Sequence, residues 1–263
     1  MPFIDSHAHL HDTRIINDMD AIMARAEKSG VRFCMSCATA EENFELTLDL
    51  SRRFKAIIPF FGIHPWFLDS LSDEWQSTLE RYLETHVSGI GETGIDFTDK
   101  TADRDRQVTV FETHLMLAKE MGRPINIHVR KAWDTFIRIL KKIGKLKVPG
   151  IIHSYSGSAD MVPLFEKYNL FISFSGSVTN PGSKKVPAAL KAVSENRFVL
   201  ETDTPDIYPY IPDPHPLRLN EPANLTAIAK IAAERIGKDE EAFRRQAYEN
   251  SCRVFGPLLE EEK

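Results

Sequence analysis

The start of the chain places one aspartate and two histidines at alternate positions. Residues 3–9 read Phe-Ile-Asp-Ser-His-Ala-His, and residues two apart on a β-strand project from the same face. Asp5, His7 and His9 would then share a face, where the two imidazoles could bind one divalent cation and Asp5 could orient a ligand. Two histidines alone are weak evidence, because either ring could equally be a packing residue.

Four more ligand-type residues follow other strand-like segments. They are predicted at the ends of the fourth, fifth, sixth and eighth segments, and they are Glu92, His128, His153 and Asp203. Each lies in otherwise apolar sequence, where burying an unpaired ionisable group is costly. Six such residues at one end of a sheet indicate a metal site.

The composition of this set limits the metal. Histidine, aspartate and glutamate without cysteine suit zinc, manganese, nickel or magnesium. Six ligands are too many for one catalytic zinc, which usually takes three from the protein. Two divalent metal ions that share a carboxylate fit the number better, and Glu92, near the middle of the set, is the natural bridge.

Strand-like and helical segments alternate along the chain. The predicted strands are 2–9, 31–38, 56–63, 89–97, 124–130, 150–155, 170–175 and 197–202. The predicted helices are 15–29, 41–54, 73–86, 104–121, 132–143, 159–168, 183–193, 224–236 and 239–254. This order predicts an α/β fold, a (β/α)8 TIM barrel with a single domain over residues 1–263, and a doubly wound open sheet is the alternative. The Pro-rich segment 205–222 is expected to border the pocket, and residues 260–263 to form a solvated tail.

Composition also limits the class of protein. A net charge of −5 disfavours a protein that coats nucleic acid electrostatically, although bound cations would outweigh that charge locally. No apolar run is long enough to span a bilayer and no targeting segment is visible, so we expect no membrane contact and a cytoplasmic location. Cys34 and Cys37 lie three apart on a predicted strand and point to opposite faces, which favours buried packing over a redox or zinc pair.

Several longer motifs together span almost the whole chain. They are F-I-D-S-H-A-H-L, G-I-H-P-W, G-E-T-G-I-D-F, I-N-I-H-V-R-K-A, I-I-H-S-Y-S-G, L-E-T-D-T-P and N-E-P-A-N-L. Their order and spacing resemble those of TatD-related metal-dependent deoxyribonucleases of the amidohydrolase superfamily. The resemblance implies a barrel in which one metal is held by His7, His9, Glu92 and Asp203. A second metal would be held by Glu92, His128 and His153.

This chain departs from the family at four positions near these motifs. The family commonly has Tyr, Asp, Cys and Phe where this sequence has Phe97, Lys131, Ser154 and Tyr155. None of the departures removes a ligand, but they are expected to change the lining of the pocket.

The family resemblance implies hydrolysis of DNA phosphodiester bonds by a water that two metals activate. Asp203 is then the candidate general base and Glu92 the bridge. His64 could contact the scissile phosphate, or it could be an N-cap or packing histidine. A deep pocket suits single-stranded or frayed DNA ends, and therefore an exonuclease.

Arg130 shares a strand face with His128 and could hold a phosphate oxygen. Its alternative is a buried ion pair with Glu201 or Asp5. Aromatic residues in loops after strands could stack on bases, although packing in the pocket wall is expected for any one of them: Trp66, Phe97, Tyr155 and Tyr208.

Two other functions stay open at this point. The same metals could cleave an ester or amide substrate such as D-aminoacyl-tRNA, because a fold does not fix its substrate. A barrel that only binds its ligand is the third reading, and the complete ligand set disfavours it.

Overall fold

Eight parallel strands in sequential order form the centre of the molecule. The computed structural model describes residues 1–211 and 219–259. The strands are β1 Phe3–Ala8, β2 Val31–Cys37, β3 Ile57–Phe61, β4 Gly89–Asp96, β5 Ile125–Arg130, β6 Gly150–Ile152, β7 Leu170–Phe174 and β8 Phe198–Leu200. All eight predicted strands are present, and β6 and β8 are shorter than predicted.

The helices surround this sheet and follow its strands. They are α1 Met19–Lys28, α2 Phe44–Arg53, α3 Trp75–Thr85, α4 Arg104–Met121, α5 Trp133–Ile143, α6 Val162–Lys167, α7 Lys185–Ala192, α8 Leu225–Ile236 and α9 Glu240–Leu259. Several are preceded by a short 3₁₀ turn, and the predicted helix ranges include most of these turns. Within the described ranges, no helix has both the length and the hydropathy of a membrane span.

The sheet closes on itself between β1 and the end of β8. Ala8 forms a parallel bridge with Thr204, and the His9 backbone N–H donates to the Thr204 carbonyl over 2.7 Å. The Asp203 N–H donates to the His7 carbonyl over 3.0 Å. The closed (β/α)8 barrel is therefore confirmed over the doubly wound alternative.

Two apolar clusters hold the barrel together. The larger one lies between strands and helices, where strand and helix side chains bury their apolar faces. The smaller fills the interior, with Ile4, Phe60, Val199 and Phe255 among its members. Phe255 belongs to α9, and Asn250 of the same helix donates to the Phe198 carbonyl at the start of β8 over 2.8 Å, so α9 packs against the amino-terminal end of the barrel.

The cysteine prediction is confirmed by these clusters. Cys34 belongs to the outer cluster and Cys37 to the interior one, and both are buried as free thiols. The prediction of a single domain over 1–263 stays a prediction. Residues 260–263 and the centre of the 205–222 loop lie outside the described residues.

Candidate metal centre

The predicted ligand residues meet at the carboxyl-terminal end of the barrel. His7 lies within β1 and His9 one residue beyond it. His128 lies within β5, and His153 directly follows β6. Asp203 lies three residues beyond β8 at a φ of 60°, a left-handed conformation that aspartate adopts more readily than most residues. Its hydrogen bond to the His7 backbone keeps it at the barrel mouth.

Glu92 lies inside β4, and the prediction that it ends the strand is wrong. Glycines on both sides of it let β4 approach β5 closely. A Cβ on Gly91 would lie 2.6 Å from the Asn126 carbonyl oxygen, and one on Gly94 would lie 1.9 Å from that of His128. The Gly-Glu-Thr-Gly sequence therefore places a carboxylate against β5 where a bulkier sequence could not.

One oxygen of Glu92 belongs to a cluster of four ligand atoms, which we name group A. The others are His7 Nε2, His9 Nε2 and Asp203 Oδ1. The two histidine nitrogens lie 3.1 Å apart. His7 Nε2 is 3.5 Å from Glu92 Oε2 and 3.3 Å from Asp203 Oδ1, and His9 Nε2 is 3.2 and 3.6 Å from the same oxygens.

The other oxygen of Glu92 belongs to a second cluster, which we name group B. Glu92 Oε1 lies 2.9 Å from His128 Nδ1 and 2.9 Å from His153 Nε2. These two nitrogens are 3.0 Å apart. The two oxygens of Glu92 are thus divided between the groups, and each group contains the residues that the family resemblance assigned to one metal.

Hydrogen bonds on the far sides of the rings fix the tautomers of His7 and His9. His7 Nδ1 lies 2.9 Å from Asn126 Oδ1, and the Asn126 amide nitrogen donates to the Ser6 carbonyl. His9 Nδ1 lies 2.9 Å from the Cys37 carbonyl. Because these oxygens can only accept, each Nδ1 carries the proton in the neutral ring and each Nε2 keeps its lone pair.

The orienting role predicted for Asp5 is wrong. Its carboxylate accepts from the Thr202 N–H over 2.9 Å and from the Thr202 hydroxyl over 2.5 Å. It reaches the His7 backbone N–H at 3.4 Å, but it contacts neither imidazole ring. Asp5 therefore ties β1 to the end of β8, and burial raises its pKa to about 7.

Two further buried carboxylates face the group B histidines. Asp96 Oδ2 lies 3.3 Å from His128 Nε2, and Glu201 Oε1 lies 3.5 Å from His153 Nδ1. Sequence reasoning missed Asp96 and Asn126, and it considered Glu201 only as a partner for Arg130. Each of these three residues lies in the same motif as a predicted ligand, two or more positions away from it. A second polar residue in such a motif was the sequence signal that could have identified them.

The electrostatics of the pocket favour positive charge. Burial opposes ionisation of Glu92, but the surrounding histidines hold its pKa well below the usual value. Burial also opposes the charged form of His9, yet its hydrogen bond to Glu92 and the nearby carboxylates raise its pKa to about 9. For Asp203, burial is outweighed by its contact with His7 and by the neighbouring histidines, so its pKa is lowered.

Groups A and B fit divalent cations. Metal binding requires neutral rings, and the Nε2 atoms of His7 and His9, which lie 3.1 Å apart, would then both direct a lone pair into group A. Glu92 Oε1 is buried without a well-formed hydrogen bond. Ligand atoms about 2.0–2.1 Å from a shared cation lie about 2.9 Å apart at right angles and about 3.3 Å apart in a tetrahedron. The separations within the two groups fall close to these values.

His64 has the N-cap role that the sequence offered as one alternative, and contact with the scissile phosphate stays a prediction. Its Nδ1 accepts from the Trp66 N–H over 3.2 Å, which caps the 3₁₀ turn Pro65–Ser70. Its Nε2 lies 3.6 Å from Glu92 Oε1. Burial lowers the pKa of His64 to about 3, so the ring is neutral and its proton is on Nε2, towards the pocket.

Arg130 is exposed and lines the pocket. The ion-pair alternative is wrong for the described residues, because the expected partners are engaged elsewhere. Glu201 accepts from the Ser154 N–H over 2.6 Å and from the Ser173 hydroxyl. The Asp5 carboxylate is bonded to Thr202 as described above.

The six residues line or adjoin a cavity of about 530 Å³ that opens at the barrel mouth. Four residues of this chain differ from those common in the family, and among the described residues that line this cavity Ser154 is the one that belongs to this set. Wall packing is confirmed for Tyr155, which is buried, and Phe97 is partly buried under the Arg104 guanidinium. Tyr208 is also partly buried. Trp66 differs, because 62% of its surface is exposed.

Curated relatives cover the chain almost completely. The chain is 30% identical over 256 residues to the uncharacterized metal-dependent hydrolase YabD of Bacillus subtilis, covering 95% of this chain and 98% of the relative. It is 28% identical over 255 residues to the 3'-5' ssDNA/RNA exonuclease TatD of Erwinia billingiae, covering 95% and 98%.

A solved structure and a family model agree with these relatives. The TatD homologue YjjV of Escherichia coli superposes with a TM-score of 0.90 at 26% identity, covering 97% of this chain and 98% of that chain. The family model described as TatD related DNase matches residues 4–256. The chain therefore belongs to the TatD related DNase family and is a metal-dependent hydrolase of that family.

Proposed function

We propose that this protein hydrolyses phosphodiester bonds of DNA and removes nucleotides from single-stranded or frayed ends. Groups A and B would hold two divalent cations, with Mg, Mn and Zn as the candidates. The observation that carries this proposal is the division of the two Glu92 oxygens between the groups, an arrangement suited to two-metal phosphodiester hydrolysis. The exonuclease name of the Erwinia relative supports the choice of substrate.

The side chains of the two groups have separate tasks in this reaction. Divalent cations bound there would supply positive charge to a phosphate oxygen and lower the pKa of a water molecule. Asp203, held at the cavity mouth by its backbone bond to His7, would accept the proton of the attacking water. Glu92 is buried and fixes the separation of the groups, because each of its oxygens faces one of them.

Two residues outside the groups would bind the phosphate. The neutral His64 turns its Nε2–H towards the pocket and can donate one hydrogen bond to a phosphate oxygen. Arg130 is exposed at the same cavity and offers two parallel donors. Together they would orient the phosphate for attack, since positioning supplies much of the catalysis in phosphoryl transfer.

A panel of substrates tests the proposal. The metal-loaded protein is incubated separately with a labelled single-stranded oligonucleotide, the blunt duplex of the same sequence, and D-aminoacyl-tRNA, each with Mg²⁺, Mn²⁺ or Zn²⁺. We expect single-nucleotide products from the single strand, slower cleavage of the duplex, and no deacylation. Chelation of the metal should abolish cleavage, and the added ion that restores the highest rate identifies the preferred metal.

The outcomes separate the alternatives. Deacylation of the tRNA without DNA cleavage would replace the nuclease by an ester hydrolase on the same site. Absence of any turnover, together with only trace divalent metal in the incubated protein, would support a barrel that binds without catalysis. The cytoplasmic location expected from the sequence stays a prediction, and it does not affect this test.

A further inference from the structure

Trp66 is a large apolar side chain that is exposed to solvent beside the catalytic cavity. It has 62% of its surface exposed, whereas Trp75 and Trp133 are partly buried against the core. A single exposed aromatic residue is common on protein surfaces and needs no explanation by itself. Its attachment and its surroundings distinguish this one.

The indole of Trp66 is fixed by a hydrogen bond to a buried carboxylate. Its Nε1–H donates to Asp96 Oδ2 over 2.9 Å, and its ring lies edge-on to His64, with centroids 5.0 Å apart. Asp96 is itself held by the Thr98 N–H over 2.8 Å. The exposed ring is thus oriented before any ligand arrives, which lowers the entropic cost of binding against it.

The ring stands between two cavities of different character. One is the catalytic cavity of about 530 Å³, and the other is an adjacent cleft of about 430 Å³. Among the described residues that line this acidic cleft there are four aspartates and neither lysine nor arginine: Asp69, Asp96, Asp99 and Asp103. A phosphate would be repelled from the cleft, while a neutral aromatic group would not be.

We propose that Trp66 is a substrate-binding residue that stacks on the nucleobase of the terminal nucleotide. This inference rests on the proposed function. With the scissile phosphate at groups A and B, the strand's remaining phosphates would run past Arg130 and away from the acidic cleft. The base of the terminal nucleotide would lie on the exposed face of the indole. Stacking of this kind accepts any base, because every base has a π-face.

The test compares oligonucleotides with and without terminal bases. Two single strands of one sequence are used, one normal and one with abasic residues at both ends. For the wild-type protein with its metal, we expect KM to be roughly tenfold lower for the normal strand. Trp66→Ala should raise KM for the normal strand to that of the abasic strand and leave kcat within about twofold, and Trp66→Phe should keep part of the preference.

Phe67→Ala is the matched control, because Phe67 is 37% exposed in the same turn and lines neither cavity. A second readout needs no turnover. The single strand should quench the indole fluorescence of the metal-loaded Asp203→Asn protein, in which cleavage is expected to be slow, and adding Trp66→Phe should abolish that quenching although Trp75 and Trp133 remain.

Two failures are distinguishable. If the wild-type protein cleaves no oligonucleotide, the proposed function itself is wrong. If it cleaves the normal strand, but Trp66→Ala leaves the ratio of the two KM values unchanged and the quenching persists in Trp66→Phe, then Trp66 is not the residue that recognises the base.

Discussion

Asn126 Oδ1 accepts a hydrogen bond from His7 Nδ1 over 2.9 Å, and this bond decides which ring nitrogen of His7 faces the pocket. The Asn126 amide nitrogen is bonded to the Ser6 carbonyl, so the side chain cannot rotate to present its donor instead. His7 consequently turns an unprotonated Nε2 to group A. Partners of this kind fix the tautomer and the orientation of a ligand ring, and their loss commonly weakens metal binding.

Asn126→Ala should therefore lower metal affinity without removing a ligand. We expect the dissociation constant for Mn²⁺ or Zn²⁺ to rise by about 10–100-fold, because the His7 ring loses its orientation and its preferred tautomer. Competition with a chelating dye measures the constant. Asn196→Ala, at an exposed position, is the control, and an unchanged constant in Asn126→Ala would contradict the orienting role.

Asp203→Asn tests the general base. The amide cannot accept a proton, so kcat for the single strand should fall by about 10²–10⁴-fold. Because Asp203 also belongs to group A, the rate is measured at saturating Mn²⁺ and the bound metal is determined by elemental analysis. Near-normal turnover with metal bound would show that another group accepts the proton.

Asp96→Asn tests whether this buried carboxylate supports metal binding at group B. Asp96 Oδ2 lies 3.3 Å from His128 Nε2 and 2.9 Å from Trp66 Nε1. Loss of the negative charge should weaken metal binding by about 10–100-fold. Asp99→Asn is the matched control, since Asp99 is exposed and bonds only to Thr101 among the described residues. Equal metal affinity in both variants would exclude Asp96 from the metal site.

His114 predicts a pH dependence of stability that is separate from the metal centre. It is buried in α4, where Nδ1 donates to the Val110 carbonyl over 2.7 Å and Nε2 accepts from the Ile63 N–H over 3.1 Å. Burial lowers its pKa to about 4 in the folded protein, while the unfolded chain keeps a value near about 6.5. Below about pH 6.5 the unfolded state therefore binds a proton that the folded state does not, and stability falls as the pH is lowered towards 4.

The variant His114→Gln isolates this contribution. Between pH 7.5 and pH 5, the wild-type protein should lose about 2 kcal/mol of unfolding free energy through His114 alone. Over the same pH interval, the loss of unfolding free energy in the His114→Gln variant should be smaller than that of the wild-type protein by about 2 kcal/mol. This difference is expected even if the variant is less stable at both pH values. Urea denaturation followed by circular dichroism measures both proteins, and parallel pH profiles would refute the assignment.

The sequence by itself determined the barrel and the membership of the site. Each strand is a short, mostly buried run, and the helices repeat their apolar residues at helical spacing, so the local pattern was sufficient to find all eight strands. The helix α4 begins and ends at the predicted residues, 104 and 121. Because every strand of a barrel ends on the same side, the six ligand-type residues had to converge once the strands were known.

Only the tertiary structure decided how those residues are used. Asn126 and His7 are 119 positions apart, and no local period indicates that this pair, and not Asp5, controls the ring. The division of the Glu92 oxygens depends on the close approach of β4 to β5, which is set by packing between strands. Trp66 could not be distinguished from wall packing by sequence, because exposure is a property of the folded surface. The identity of each ligand residue can be read from the local sequence. The tautomer of His7, the division of the Glu92 oxygens and the exposure of Trp66 arise from contacts between distant parts of the chain.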